Sequence, residues 1–176
     1  MLASRCLIFA FAAVPLPLLW CTLAEASDQV LDQTSPGAAA EGENDAFRCL
    51  ALTLFWEARS EGREGMEAVA SVVLNRVKSP EFPDTVCEVV HDGDEEGPCA
   101  FSWWCDGKED MPALHENWPE EQDRWALAEE IARAMLTNQD RDITGGALYY
   151  HADDVQPTWS AERSRVAKIG RHVYYR

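Results

Sequence analysis

The feature that most constrains the fold is a nearly unbroken apolar segment, CLALTLFWEARSEG at residues 49–62, with Glu57 set among Leu, Phe and Trp. On a helix, which turns by about 100° per residue, Glu57 shares a face with Leu50 and Leu54. We therefore predict a helix from Ala46 to about Ser60 that directs this carboxylate toward apolar side chains.

A carboxylate among apolar groups resists ionisation, so the pKa of Glu57 is expected to rise. A protonated carboxylic acid of this kind can protonate a glycosidic oxygen. The alternative is structural, because Glu57 at the last helical turn could reach water or pair with Arg59, Arg63 or Arg76. The pattern alone leaves both interpretations open.

The remaining pattern predicts a mainly helical α+β domain. The run GMEAVASVVLNRV has apolar residues at helical spacing, a short helix is expected around residues 84–90, and a third long helix follows Trp118-Pro119. The later segments ALYYH, RVAKI and HVYYR are short, β-branched and aromatic, which is typical of strands. Helices first and strands last indicate α+β architecture.

The N-terminal residues predict export. Residues 1–26 combine Arg5, an apolar run and an A-x-A-like site, which indicates a secretory signal peptide. A membrane anchor and a lipoprotein signal are the alternatives. Residues 27–44 are small, polar and acidic, which predicts a flexible linker, and residues 45–176 form the predicted single domain. We expect a periplasmic or secreted protein.

Four cysteines remain after the predicted signal peptide, and an exported chain can form disulfides from them. Three pairings are possible. The short interval between Cys99 and Cys105 could close a small loop, which would leave Cys49 to pair with Cys87. Zinc binding is the competing interpretation, but the chain has no C-x-x-C pair, and we predict no metal and no cofactor.

The net charge of −16 argues against two classes of partner. Phosphate binding requires clustered Lys and Arg, and the same charge repels anionic lipid surfaces. We therefore expect that neither nucleic acid nor a membrane is a partner. We also expect the protein to be a monomer.

The aromatic residues are suited to a carbohydrate cleft, because apolar sugar faces stack on rings whose polar groups can still form hydrogen bonds. For any single ring, a place in the core is the alternative. Trp103 and Trp104 are adjacent, so in an extended segment one of them is expected to be exposed. The aromatic residues considered are Trp56, Trp103, Trp104, Trp159, Tyr149, Tyr150, Tyr174 and Tyr175.

Four segments resemble, in order and spacing, the SleB-like cell wall hydrolase family, which includes spore cortex-lytic enzymes. They are FWEARSEGREGMEAVASVVLNRVKSPEFPDTVCEVV, CAFSWWCDG, GALYYHADDVQPTWS and KIGRHVYYR. The resemblance implies a lysozyme-like fold, cleavage of the β-1,4 bond between N-acetylmuramic acid and N-acetylglucosamine, and a catalytic role for Glu57. Ala100 departs from the family, in which many members have Gln before Phe-Ser.

The resemblance also implies a mechanism. Members of the family can act as lytic transglycosylases, in which one carboxylic acid serves as acid and then as base and the product has a 1,6-anhydromuramic end. Hydrolysis would need a second carboxylate, for which Glu61, Asp84 and Asp106 are candidates. Peptidoglycan strands are the expected partner, together with a possible accessory cell wall protein.

Other residues are candidates for glycan binding. Asn75 and Arg76 could bind N-acetyl or lactyl groups, with helix capping and pairing as the alternative. Ser102 could donate a hydrogen bond to sugar, although a loop Ser commonly bonds to nearby backbone. Tyr149, Tyr150 and His151 lie on one predicted strand. Their side chains should therefore alternate between the cleft and the core.

Two other functions fit parts of the sequence. A Cys/His amidase acting on the stem peptide would need a free thiol, and Cys49 is the candidate. A peptidoglycan-binding or regulatory module without catalysis is also compatible with such a fold. Glu57 argues against a non-catalytic module, because placing a carboxylate on an apolar stripe costs free energy and such a module has no use for it.

Overall fold

The computed structural model describes residues 36–93 and 98–176, which all belong to one compact unit. The predicted signal peptide and the first part of the predicted linker lie outside the described residues. No helix in the described part of the chain is both long enough and apolar enough to span a bilayer.

Four helices build most of the unit: α1 (Pro36–Ala58), α2 (Gly62–Lys78), α3 (Val86–Val90) and α4 (Pro119–Thr137). The predicted second and third long helices are confirmed as α2 and α4. Their apolar positions pack together with α1 in one core that includes Leu50, Leu54 and Ile131, each at most 1% exposed. Thr85 caps α3 by accepting a hydrogen bond from the backbone N–H of Glu88.

The predicted start of the first helix was wrong. The helix begins at Pro36 instead of Ala46, so residues 36–44 of the predicted flexible linker are helical. Proline is favoured in the first turn of a helix, and the alanines that follow it have the highest helix propensity. The sequence of this extension, PGAAAEGEN, has no apolar residues at helical spacing by which periodicity could reveal it.

Three short strands form an antiparallel sheet: β1 (Tyr149–Ala152), β2 (Arg165–Ile169) and β3 (His172–Tyr175). The order is β1-β3-β2, with β3 buried in the centre. These strands confirm the predicted C-terminal sheet and the α+β class. Tyr150 is opposite Tyr174 in the register, and a small cluster of Tyr174, Ala68 and Val72 packs this face of the sheet on α2.

Both predicted disulfides are present. Cys49 on α1 is bonded to Cys87 on α3, with Cα atoms 5.4 Å apart. Cys99 is bonded to Cys105, with Cα atoms 6.4 Å apart. The first bond ties two helices of the core together, and the second closes a short loop.

The segment containing Trp103 and Trp104 differs from the extended form that we predicted. Residues Ser102–Cys105 form one turn of 3₁₀ helix. Trp103 is 7% exposed and lies in the core, whereas Trp104 is 39% exposed and stacks on His91 with ring centroids 3.7 Å apart. One ring is exposed, as expected, but the burial of Trp103 does not support a role in sugar stacking.

Candidate active site

Glu57 occupies the last turn of α1, on the face that Leu50 and Leu54 bury in the core. Its side chain is half-buried. The hydroxyl of Tyr150, on β1, donates a hydrogen bond of 2.9 Å to Oε2 of Glu57. The helix and the sheet therefore meet at this carboxylate.

Three effects act on the pKa of Glu57. Burial is the largest and raises the pKa, while the hydrogen bond from Tyr150 and the positive charge of Arg76 lower it; the net shift is upward. Burial and the nearby carboxylate raise the pKa of Tyr150 well above its ordinary value, so its hydroxyl remains a donor. The carboxyl can thus keep a proton at higher pH than an exposed glutamate, and its ionised form still has a donor beside it.

Arg76 is buried, close enough to Glu57 for its charge to act on that carboxyl, and its guanidinium contacts aromatic rings. Its guanidinium lies 5.1 Å from the ring centre of Phe82 and 5.4 Å from that of Phe101. Its Nε donates a hydrogen bond of 2.8 Å to the carbonyl of Leu148. Burial lowers the pKa of Arg76, and the charge of Glu57 is among the smaller effects that raise it. Arg76 anchors the segment before β1 and supplies positive charge near Glu57.

Asn75 supports the same segment. Its Nδ2 donates to the carbonyl of Ala147 at 3.1 Å and lies 3.5 Å from Oγ1 of Thr144. Asn75 and Arg76 thus bind main chain next to Tyr150, which favours the structural alternative for these two residues. Their contact with N-acetyl or lactyl groups stays a prediction.

Glu61 lies where α1 passes into α2. Its Oε2 accepts a hydrogen bond of 2.8 Å from the backbone N–H of Arg171, at the turn between β2 and β3. This bond ties the sheet to the helices on the side of the molecule that holds Glu57. Its role as a glycan-binding residue also stays a prediction.

The alternation along β1 separates the predicted tyrosines and histidine. His151 is on the opposite face from Tyr150, with Nε2 3.0 Å from the hydroxyl of Tyr175 and the two rings stacked. Tyr149 contacts the guanidinium of Arg163, whose Cζ is 3.4 Å from the ring centre. The structure therefore brings together Glu57, Arg76 and Tyr150, and places His151 elsewhere. Ser102 is exposed on the 3₁₀ turn.

One residue beside the site, His172, was not a candidate in the sequence analysis, whereas Tyr174, which also lies there, was among the aromatic residues considered. His172 lies next to Tyr150, with ring centroids 5.2 Å apart, and burial lowers its pKa. Its Nδ1 and the hydroxyl of Tyr174 are buried without a hydrogen-bond partner among the described residues. His172 lies in KIGRHVYYR, one of the four segments that resemble the family, and that segment could have singled it out. Within the same described ranges, no group of three His, Cys, Asp or Glu residues could hold a metal ion.

Residues 60–175 match the protein family described as Cell Wall Hydrolase. The matched range begins three residues after Glu57. Among curated proteins, the chain is 33% identical over 137 residues to a spore cortex-lytic enzyme of Halalkalibacterium halodurans, covering 77% of this chain and 36% of that protein. It is 33% identical over 132 residues to that of Bacillus subtilis, covering 74% and 37%. The chain therefore spans little more than a third of these relatives.

Solved structures are also similar. The catalytic domain of the Bacillus cereus SleB protein is 30% identical with a TM-score of 0.58, and the match covers 76% of this chain and 91% of that domain. The catalytic domain of a germination-specific lytic transglycosylase, SleB from Bacillus anthracis, is 30% identical with the same TM-score, covering 75% and 94%. The fold of the described unit is thus that of the SleB catalytic domain.

Proposed function

The chain belongs to the cell wall hydrolase family, and we propose that it cleaves the β-1,4 bond between N-acetylmuramic acid and N-acetylglucosamine in peptidoglycan, with Glu57 as general acid and base. The observation that carries this proposal is the half-buried carboxyl of Glu57, whose pKa is raised by burial and whose Oε2 accepts a hydrogen bond from Tyr150. The substrate implies action outside the cytoplasmic membrane, after export by the predicted signal peptide.

The proposed reaction is a transglycosylation within the muramic acid residue. Protonated Glu57 donates its proton to the glycosidic oxygen as the bond from that oxygen to C1 breaks. The C6 hydroxyl of the same sugar then bonds to C1, and the Glu57 carboxylate accepts the hydroxyl proton. The products are a strand with a 1,6-anhydromuramic end and a free N-acetylglucosamine end, and no water is consumed.

This route suits a site with one suitable carboxylate. Of the other candidates, Glu61 accepts the backbone N–H of Arg171, and Asp106 accepts hydrogen bonds from the backbone N–H and Nζ of Lys108. Asp84 and Asp106 are exposed, whereas burial raises the pKa of Glu57 and the Tyr150 hydroxyl donates a hydrogen bond to its Oε2. The similarity to a domain described as a lytic transglycosylase supports the same route.

The structure weakens the amidase alternative. Cys49, its candidate nucleophile, is in a disulfide with Cys87, and Cys99 is bonded to Cys105. A thiol enzyme needs a free thiolate, and the described part of the chain contains no free cysteine. The binding-module alternative makes a different prediction, because it expects no released fragments.

Glu57→Gln should abolish cleavage, because glutamine keeps the shape of the side chain and loses the transferable proton. General acid–base catalysis contributes roughly 10²–10⁴ in rate, and the loss should reach the upper end because one group performs both steps. The measurement is mass spectrometry of fragments released from purified peptidoglycan. Products lighter by one water than reducing-end fragments indicate transglycosylation.

Glu61→Gln is the matched control, since it makes the same change four residues further along the chain and should have a much smaller effect. The Glu57→Gln variant must also be folded. A carboxyl with a raised pKa stabilises the fold below its unfolded-state pKa, and this contribution is lost as pH rises through the folded-state pKa. The melting temperature of the variant at neutral pH should therefore match or exceed that of the parent. Full activity in Glu57→Gln would overturn the mechanism, and reducing ends would indicate hydrolysis.

A further inference from the structure

A groove of about 700 Å³ lies beside the C-terminal end of α1, outside the contacts of Glu57. Trp56, Pro112 and Trp118 contribute much of its apolar lining. Its volume falls within the roughly 300–1,000 Å³ that is usual for small-molecule sites. Trp56 immediately precedes Glu57, so the groove and the candidate active site occupy neighbouring faces of the same helical turn.

Trp118 is the most unusual part of this groove. It is 55% exposed, more than any other large hydrophobic residue in the described ranges. Its ring is nearly perpendicular to that of His115, with centroids 4.9 Å apart, and it lines the groove. An indole that is apolar on its faces and polar at its N–H suits a ligand with the same mixed character.

The charges that line the groove cancel one another. Arg59 pairs with Glu121 at 3.0 Å, and Arg124 contacts Glu121 closely and Glu120 at 3.6 Å. Two guanidinium groups therefore face two carboxylates. The groove offers many hydrogen-bond donors and acceptors but no net charge, which favours a neutral, hydroxyl-rich ligand over a charged peptide.

Arg59 also joins the polar and aromatic parts of the lining. Its guanidinium lies 5.1 Å from the ring centre of Trp56 and 5.2 Å from that of Phe55. The indole N–H of Trp56 donates a hydrogen bond of 2.8 Å to the carbonyl of Asp110, which fixes the ring. A ligand thus meets a positioned aromatic wall on α1 and an exposed ring at Trp118.

We propose that this groove is a glycan subsite that binds neutral N-acetylhexosamine residues of the strand on which Glu57 acts, with Trp118 as the stacking ring. The inference rests on the proposed function, because it supplies the strand. A glycan that crosses the end of α1 would occupy both the groove and the Glu57 site. Trp118 would then contribute to strand binding and leave the chemical step to Glu57.

The test is the binding of chitohexaose, a neutral β-1,4-linked N-acetylglucosamine oligomer, to the full protein carrying Glu57→Gln. Adding Trp118→Ala should weaken binding roughly three- to tenfold, the range expected for the loss of one aromatic contact. Trp118→Phe should recover part of the affinity. Leu114→Ala is the control, because Leu114 is 38% exposed in the same loop and does not line the groove.

Binding of peptide-free glycan strands and of intact peptidoglycan identifies the occupant. The proposal expects Trp118→Ala to weaken both equally, and in the catalytically intact protein to raise KM for long strands with kcat unchanged. It is overturned if Trp118→Ala binds as the parent does, if Leu114→Ala loses as much affinity, if no variant binds glycan, or if only peptide-bearing material responds. Continued cleavage by Glu57→Gln would defeat the proposed mechanism without changing these binding comparisons.

Discussion

The ionisation of Glu57 depends chiefly on the balance between burial and one hydrogen bond, with the charge of Arg76 as a smaller effect. Burial raises its pKa, and the Tyr150 hydroxyl opposes that rise. As the proposed general acid, Glu57 works in its protonated form, so activity should fall as pH rises through its pKa. Tyr150 also holds the carboxylate in one orientation, which is what a group that donates and then accepts a proton requires.

Tyr150→Phe should move the alkaline limb of the pH–activity profile to higher pH. The substitution removes the hydrogen bond that stabilises the carboxylate, so the pKa of Glu57 rises further and the protonated acid persists to higher pH. We expect a lower maximal rate as well, because the carboxyl loses its orienting partner. The measurement is kcat/KM for a soluble glycan fragment across pH, with folding checked by circular dichroism.

Tyr174→Phe is the matched control for that experiment. Tyr174 is paired with Tyr150 in the sheet, and its buried hydroxyl has no hydrogen-bond partner among the described residues. Removing the Tyr174 hydroxyl should therefore leave the alkaline limb of the pH–activity profile at the same pH. A limb that stays put or moves to lower pH in Tyr150→Phe would show that this hydrogen bond does not control the group responsible for the profile.

At the scale of elements, the site exists because a strand is held against the end of a helix. Asn75 and Arg76 on α2 bind the carbonyls that precede β1, and Glu61 binds the turn between β2 and β3. The two ends of the sheet are thus fixed to the α1–α2 helices by polar contacts. Tyr174 adds a buried apolar contact between them.

Glu61→Ala should cost about 1.5 kcal/mol of stability, at the low end for a hydrogen bond with a charged partner because the site is partly exposed. It should also reduce activity, because the sheet that carries Tyr150 loses one attachment. Glu61→Gln keeps an acceptor oxygen and should lose less of both. Urea unfolding and the peptidoglycan assay measure the two effects; equal losses in both variants would mean that the charge of Glu61, and not its acceptor oxygen, matters.

The elements that sequence could predict are those whose burial follows a period. In α2 and α4 the apolar residues recur every three or four positions, as they do on one face of a helix. The β-branched and aromatic runs match the three strands. The N-terminal part of α1 has no stripe and depends on local propensity. The 3₁₀ turn at Trp103 is also too short to show a period.

The site could be predicted only in part for a related reason. Glu57 stands out because its helix is apolar around it, whereas its partner Tyr150 lies 93 residues away, and no local pattern links them. Arg76 was predicted near glycan but is buried against aromatic rings. The groove beside Trp118 is formed by separate segments that only the tertiary fold brings together.

At the scale of the whole molecule, the two disulfides constrain very different lengths of chain. Cys49 and Cys87 are 38 residues apart and link α1 to α3, whereas Cys99 and Cys105 are 6 residues apart. A crosslink restricts the unfolded chain more when it closes a longer loop. The first bond also lies in the core that holds α1, and with it Glu57.

Replacing Cys49 and Cys87 together by Ala should cost about 4 kcal/mol, and the same change at Cys99 and Cys105 about 2 kcal/mol, according to the loop-entropy relation. The burial of Cys49, which is 8% exposed, adds a small cavity cost to the first pair. Urea unfolding of both double variants and the parent measures the difference. Because Glu57 and Tyr150 meet through helix and strand contacts, either variant should cleave peptidoglycan under conditions in which it remains folded. Equal or reversed losses would mean that structure remaining in the unfolded chain, and not loop length, determines what these bonds contribute.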